Sequence, residues 1–103
     1  MQSNLNNTTL RIVFDGDLLS TNVDSLRREI IAVIGSHPGT KAIAADLSNC
    51  RLVDSKGVNL LIALFRESQN RGWAFSAVNP TPDVRRLLAL LNLTERFGLS
   101  NPN

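Results

Sequence analysis

Leu52-Val53-Asp54-Ser55-Lys56-Gly57-Val58-Asn59-Leu60-Leu61-Ile62-Ala63-Leu64-Phe65 is the stretch around which this chain is organised. An apolar pair, Leu52-Val53, gives way to a polar turn, and an apolar helical run begins at Val58. A serine between a strand-like approach and a helix start lies where free backbone N–H groups and the helix dipole favour an added anion. Ser55 is therefore a candidate phosphorylation site; the same residues also fit a plain helix cap. The predicted helix runs from about Ser55 to Arg71, with Gly72 in the C′ position. Val58, Leu61, Ile62 and Phe65 form one stripe, which Leu60 and Leu64 widen sideways beyond what a surface helix needs. Two accounts fit that arc. Either a sheet and a neighbouring helix bury all six side chains, or Leu60 and Leu64 edge a partner-binding surface beside Ser55, with Asn59, Ala63 and Arg66 as its polar margin.

Upstream, Ala42 to Leu47 is a short apolar run broken only by Asp46, which suits a central strand buried on both faces. Before it, Val23, Leu26, Ile30, Val33 and Ile34 make a helical stripe, introduced by Thr21 and Asp24 as an abbreviated capping box and closed by the turn cluster Gly35 to Gly39. Leu10, Ile12 and Phe14 alternate with polar or smaller partners as a strand. Residues 1–8, rich in Asn, Ser and Thr, read as a mobile arm. Downstream, Trp73, Phe75 and Ala77 alternate as a further strand, and Thr81-Pro82 starts a last helix with the stripe Val84, Leu87, Leu88 and Leu91. Phe97 and Leu99 are placed to dock on the core, and 100–103 reads as a tail. Strands alternating with helices predict one α/β domain over 9–99, built with crossover connections.

Composition narrows the function. A chain of 103 residues with 43% hydrophobic and 19% charged residues has the balance of a water-soluble domain with a core of its own. A net charge of +2 gives no electrostatic footprint for nucleic acid or an anionic membrane. The single Cys50 excludes an internal disulfide and suits a reducing compartment. The first nine residues lack the order of a signal peptide, and no apolar run is long enough to cross a bilayer. These point to a cytoplasmic location.

Catalytic material is scarce. His37 lies in a Pro/Gly turn with no cue linking it to a nucleophile. Cys50 reads as a small buried hydrophobe, although the adjacent Arg51 would favour its thiolate. No cluster has metal-ligand spacing and no Gly-rich phosphate loop is present, so neither an enzyme nor a cofactor is expected.

The element order, Gly16-Asp17-Leu18 after the first apolar strand, and Val53-Asp54-Ser55-Lys56-Gly57-Val58 at the central helix together resemble a STAS domain, and within that class the stand-alone anti-sigma-factor antagonists of bacterial partner-switching systems. The resemblance spans about Leu10 to Leu93, and Asp-Ser-x-Gly is its specific part. It implies a mixed β-sheet with helices packed mainly on one face. It further implies that Ser55 is phosphorylated by a partner that is both a serine kinase, of the GHKL ATPase type, and an anti-sigma factor. A PP2C-type phosphatase would reverse the mark. Asp17, Asp54, Lys56, Gly57, Asn59, Leu60, Ala63 and Leu64 are then the expected partner-binding residues. Lys56 stands where these proteins often carry a second hydroxyl residue, Leu19 where they commonly carry an acid, and Asn59 in place of a frequent glycine.

Two other functions are consistent with the same residues. Short STAS domains similar to this chain serve as constitutive accessory subunits of bacterial lipid-transport ABC complexes, using the corresponding helix start as a contact without a phosphate. A small-ligand site would lie at the strand ends near Gly16 and Ser55.

Overall fold

A computed structural model describes residues 1–99. Its elements in chain order are β1 (Gln2–Asn6), β2 (Thr9–Val13), α1 (Val23–Ser36), β3 (Ala42–Asp46), α2 (Ser55–Asn70), β4 (Ala74–Val78) and α3 (Pro82–Leu90). The four strands form one sheet in the order β1-β2-β3-β4, with β1 antiparallel to β2 and the remaining pairs parallel. Both parallel connections step the same way across the sheet. Right-handed crossovers then carry α1 and α2 to the same face.

Register decides which side chains meet that helix layer. Leu5, Leu10, Ile43 and Phe75 lie in one cross-strand row, and Ile12, Ala45 and Ala77 in the next on the same face. Leu10, Ile12, Ile43, Ala45 and Ala77 are at most 2% exposed. Side chains alternate along a strand, so Arg11, Ala44 and Ser76 form a row on the opposite face. There Asp46 is buried and ion-paired to Arg11. Burial alone would raise the Asp46 pKa, but hydrogen bonds from Ser48 and the Arg11 guanidinium hold it below the usual value.

The stretch expected to be a mobile arm is largely strand β1. Its sequence, QSNLN, offers one partly buried side chain, Leu5, so hydrophobic alternation does not reveal it. The hairpin with β2 forms because Asn7 takes up φ 58°, a left-handed conformation that asparagine tolerates better than most residues. The expected 100–103 tail lies outside the described residues.

α2 is the middle helix of its layer. Val58, Leu60, Leu61 and Leu64 are all buried, each worth about 1.5–3 kcal/mol relative to exposure. Leu60 and Leu64 face α1 across a cleft shared with Ile30, Ile31 and Ile34, while Asn59 and Ile62 face α3 across a second groove shared with Leu87 and Leu91. Covering three sides of one helix requires the wide apolar arc. Leu60 and Leu64 are thus core residues, and the account in which they edge an open surface is corrected.

The chain after α3 closes the far edge of the sheet. The Ala77 N–H donates to the Phe97 carbonyl at 2.7 Å, and Phe97 joins Phe65 and Phe75 in an aromatic cluster with ring centroids 5.4–6.0 Å apart. Phe97 and Leu99 dock on the core as expected, 0% and 9% exposed.

Candidate functional site

The site is built where two crossover loops meet at the start of α2. The loop after β2 and the loop after β3 pair as an isolated parallel bridge between Leu18 and Val53. The Leu18 N–H donates to the Leu52 carbonyl at 3.0 Å, and the Asp54 N–H donates to the Leu18 carbonyl at 3.1 Å. Two carboxylates reinforce the join from opposite sides. Asp17 Oδ1 accepts from the N–H groups of Arg51 and Leu52, at 2.9 and 3.0 Å. Asp54 Oδ2 accepts from the Ser20 N–H at 2.7 Å.

Asp54 also caps α2. Its backbone is extended, and its Oδ1 accepts from the Gly57 N–H at 2.9 Å. The N–H groups of Gly57 and Ser20 hold its carboxyl below the ordinary value, so it is an anion at neutral pH. Asp54 and not Ser55 is therefore the cap. Ser55 is the first helical residue, exposed, and among the described residues its hydroxyl bonds to no other group. That leaves the hydroxyl without a structural task.

Gly57 is buried where α2 passes over Leu18. A Cβ at this position would lie 2.8 Å from Leu18 Cβ and 2.9 Å from its carbonyl carbon, and closer still to the carbonyl oxygen. Only glycine lets the helix start sit on this loop. Cys50, beneath the same loops, is fully buried. Burial pushes its thiol pKa up, and the Asp17 charge adds to that rise, outweighing the N–H of Leu18. Arg51 does not activate it.

The expected partner-binding residues divide among three places. Asp17, Asp54 and Gly57 form the framework. Ser55, Lys56 and Asn59 are exposed at the helix start. Ala63, with Leu60 and Leu64, lies in the α1–α2 cleft on another side of the helix. Beside Ser55 runs a groove of about 530 Å³ between α2 and α3, lined by Val58, Asn59, Ile62, Leu87, Leu91 and Arg96 among others. Leu91, on the groove lining, is 46% exposed, and Leu52, three residues before Ser55, is 60% exposed. Sequence reasoning assigned Leu91 to the core and missed Arg96. Leu91 shares the i, i+4, i+7 stripe of the buried Val84 and Leu88, but α3 ends at Leu90 and Leu91 is its C-cap residue, so periodicity carries no signal of its exposure.

The cap of α1 also differs from expectation. Asn22, not Thr21, precedes the first helical residue, and its amide side chain bonds within the Asp17–Leu19 loop. Thr21 is left exposed. Thr81 precedes α3 as expected, but its hydroxyl donates to the Cys50 carbonyl and ties α3 to the site loops. Among the described residues no helix is long and apolar enough to cross a membrane.

An α/β domain of this topology, with an exposed serine at an aspartate-capped helix start, defines a STAS-type module. The chain belongs to the STAS-domain family: the family model described as "Mlab, STAS domain" matches residues 1–100. No curated protein matches the sequence. Among solved structures, the chain is similar to the anti-sigma factor antagonist SpoIIAA in its unphosphorylated form (22% identity, TM-score 0.78, covering 99% of this chain and 87% of that one). It is also similar to the Bacillus cell fate determinant SpoIIAA in the phosphorylated form (21% identity, TM-score 0.72, covering 99% and 90%). An anti-sigma factor antagonist from Mycobacterium paratuberculosis aligns at 21% identity and TM-score 0.81, covering 98% and 84%. At these identities the likeness establishes the shared fold.

Proposed function

We propose that this chain is a non-enzymatic partner-switching module, an anti-sigma factor antagonist whose binding is controlled by phosphorylation of Ser55. The observation that carries the reading is the division of labour at the helix start. Asp54 takes the capping role, so the neighbouring Ser55 hydroxyl is exposed and uncommitted. The partner is a GHKL-type anti-sigma factor that is also a serine kinase. It supplies the nucleoside triphosphate, whose terminal P–O bond breaks as the phosphoryl group passes to Ser55 Oγ and the hydroxyl proton leaves to a base on the kinase. A PP2C-type phosphatase hydrolyses the ester. The setting is a bacterial cytoplasm and the output is transcription.

The physics of the switch is local. A phosphate on Ser55 adds about −1.5 to −2 charge at pH 7. At a partner interface that charge must be desolvated. A penalty of about 3 kcal/mol weakens binding roughly a hundredfold, with no change in fold. Ser55→Ala and Ser55→Asp test the reading. Opposite effects on partner capture and on the downstream output are expected, with Ala behaving as the permanently binding form. Equal effects of both variants contradict it.

A second reading is a constitutive accessory subunit of a lipid-transport ABC complex. The family description favours it, since it names Mlab STAS domains and not sigma-factor regulators. On that reading Ser55→Ala leaves assembly intact, and ATPase subunits co-purify whatever the phosphorylation state.

A further inference from the structure

Arg96 stands on the wall of the α2–α3 groove opposite the helix that carries Ser55, and both residues line the same cavity of about 530 Å³. Its backbone is firmly placed. Leu93 and Phe97 on either side are 5% and 0% exposed, the Phe97 N–H donates to the Leu93 carbonyl at 2.9 Å, and the Leu99 N–H donates to the Thr94 carbonyl at 2.9 Å. The side chain is the opposite case. Arg96 is exposed, and among the described residues its guanidinium pairs with no carboxylate, unlike Arg11, Arg71 and Arg86. The rest of the groove lining is mostly apolar, with Val58, Ile62, Leu87 and Leu93 among its residues.

A planar fork of donors lining the same groove as a serine suits a phosphate ester on that serine. We propose that Arg96 clamps phosphorylated Ser55, so that the mark closes the α2–α3 groove from within as well as adding charge to its rim. This rests on Ser55 being the phosphoacceptor. Unphosphorylated, the groove is open and Arg96 is available to a partner's carboxylate. Phosphorylated, Arg96 turns to the ester, its side chain lies over the apolar lining, and a partner loses the cavity and the cation together. The clamp makes phosphorylation and partner binding compete for one side chain.

The test uses the full chain with phosphoserine installed at position 55 during synthesis, alone and with Arg96→Gln. The second ionisation of the phosphate is followed by 31P NMR at low and high salt. A phosphoserine monoester titrates near pH 6, and a facing guanidinium favours the dianion. Arg96→Gln should therefore raise the midpoint by about half a pH unit at low salt, as expected for an exposed charge pair, with a smaller difference at high salt. Lys56 and the helix N–H groups are present in both proteins and cancel. Arg96 is exposed, so loss of fold is not at issue, and near-identical amide spectra would establish that. Superimposable titration curves for the two proteins would overturn the clamp. The phosphate is placed without a kinase, so the titration stands apart from the parent reading, whose failure appears as absence of phosphate on Ser55 in native cells.

Discussion

Asp17 and Asp54 lie on different crossover loops, and each carboxylate holds the backbone of the other's loop. Asp17 accepts from Arg51 and Leu52, and Asp54 accepts from Ser20 while also capping α2 through Gly57. The start of α2, and with it Ser55, is therefore positioned by a reciprocal pair and not by its own loop alone. Asp17→Ala should cost about 1–3 kcal/mol, since two N–H groups lose a charged acceptor. Asp54→Ala should also lower the unfolding midpoint. Because both act on one join, the double variant should lose measurably less than the sum of the singles in a denaturant double-mutant cycle. Strict additivity would mean that the two carboxylates act independently.

Acid should loosen this join. Asp54 and Asp46 both have folded pKa values below their unfolded ones. A depressed carboxylate contributes stability that is fully present above the unfolded value of about 3.9 and is lost as pH falls through the folded value. Unfolding midpoints should therefore be steady near neutrality with respect to these groups and fall below about pH 4. Asp54→Asn should make that acid limb shallower. An unchanged limb in this variant would show that Asp54 is not held as an anion by its two N–H donors.

Gly57→Ala provides a steric test. The new methyl group meets Leu18 backbone and side chain below van der Waals distance. Helix propensity alone would make the substitution stabilising, so the expected loss of about 1–3 kcal/mol reports the overpacking. A neutral or stabilising outcome in thermal unfolding would mean that the helix start does not rest on Leu18.

Core and surface leucines on this layer should separate cleanly. Leu60→Ala and Leu64→Ala empty buried positions and should each cost about 2–5 kcal/mol. Leu91→Ala and Leu52→Ala remove half-exposed or exposed side chains and should change stability by about 0.5 kcal/mol or less. The second pair should instead weaken capture of whatever partner co-purifies from native cells. If Leu60 and Leu64 proved cheap to remove, their place in the core would be wrong.

How far the sequence carries follows from which interactions are local. The span of α2, with φ 74° at Gly72, is legible because caps and periodicity act within a few residues. The central position of β3 is legible from a short apolar run interrupted only by Asp46. β1 is not, because a polar edge strand with a single half-buried leucine has no alternation to read. The ambiguity at Leu60 and Leu64 resolves only when α1 and α3 are both known to flank α2. Asp17 and Asp54 stand out as motif residues, but their reciprocal bonds link residues 34 or 35 apart and emerge only from tertiary structure. Arg96 is hidden for the same reason: the turn after α3 brings it to the Ser55 groove, and no spacing signals that.

The central claim is that Ser55 carries a reversible mark, and phosphopeptide mass spectrometry on the chain purified from its native cells tests it most directly, with Ser55→Ala as control. The account predicts a phosphate localised to Ser55 that is present in some growth conditions and absent in others. Complete coverage of the Leu52–Gly57 segment without phosphate in any condition would contradict it, and co-purifying ATPase subunits in the same preparations would favour the constitutive accessory subunit.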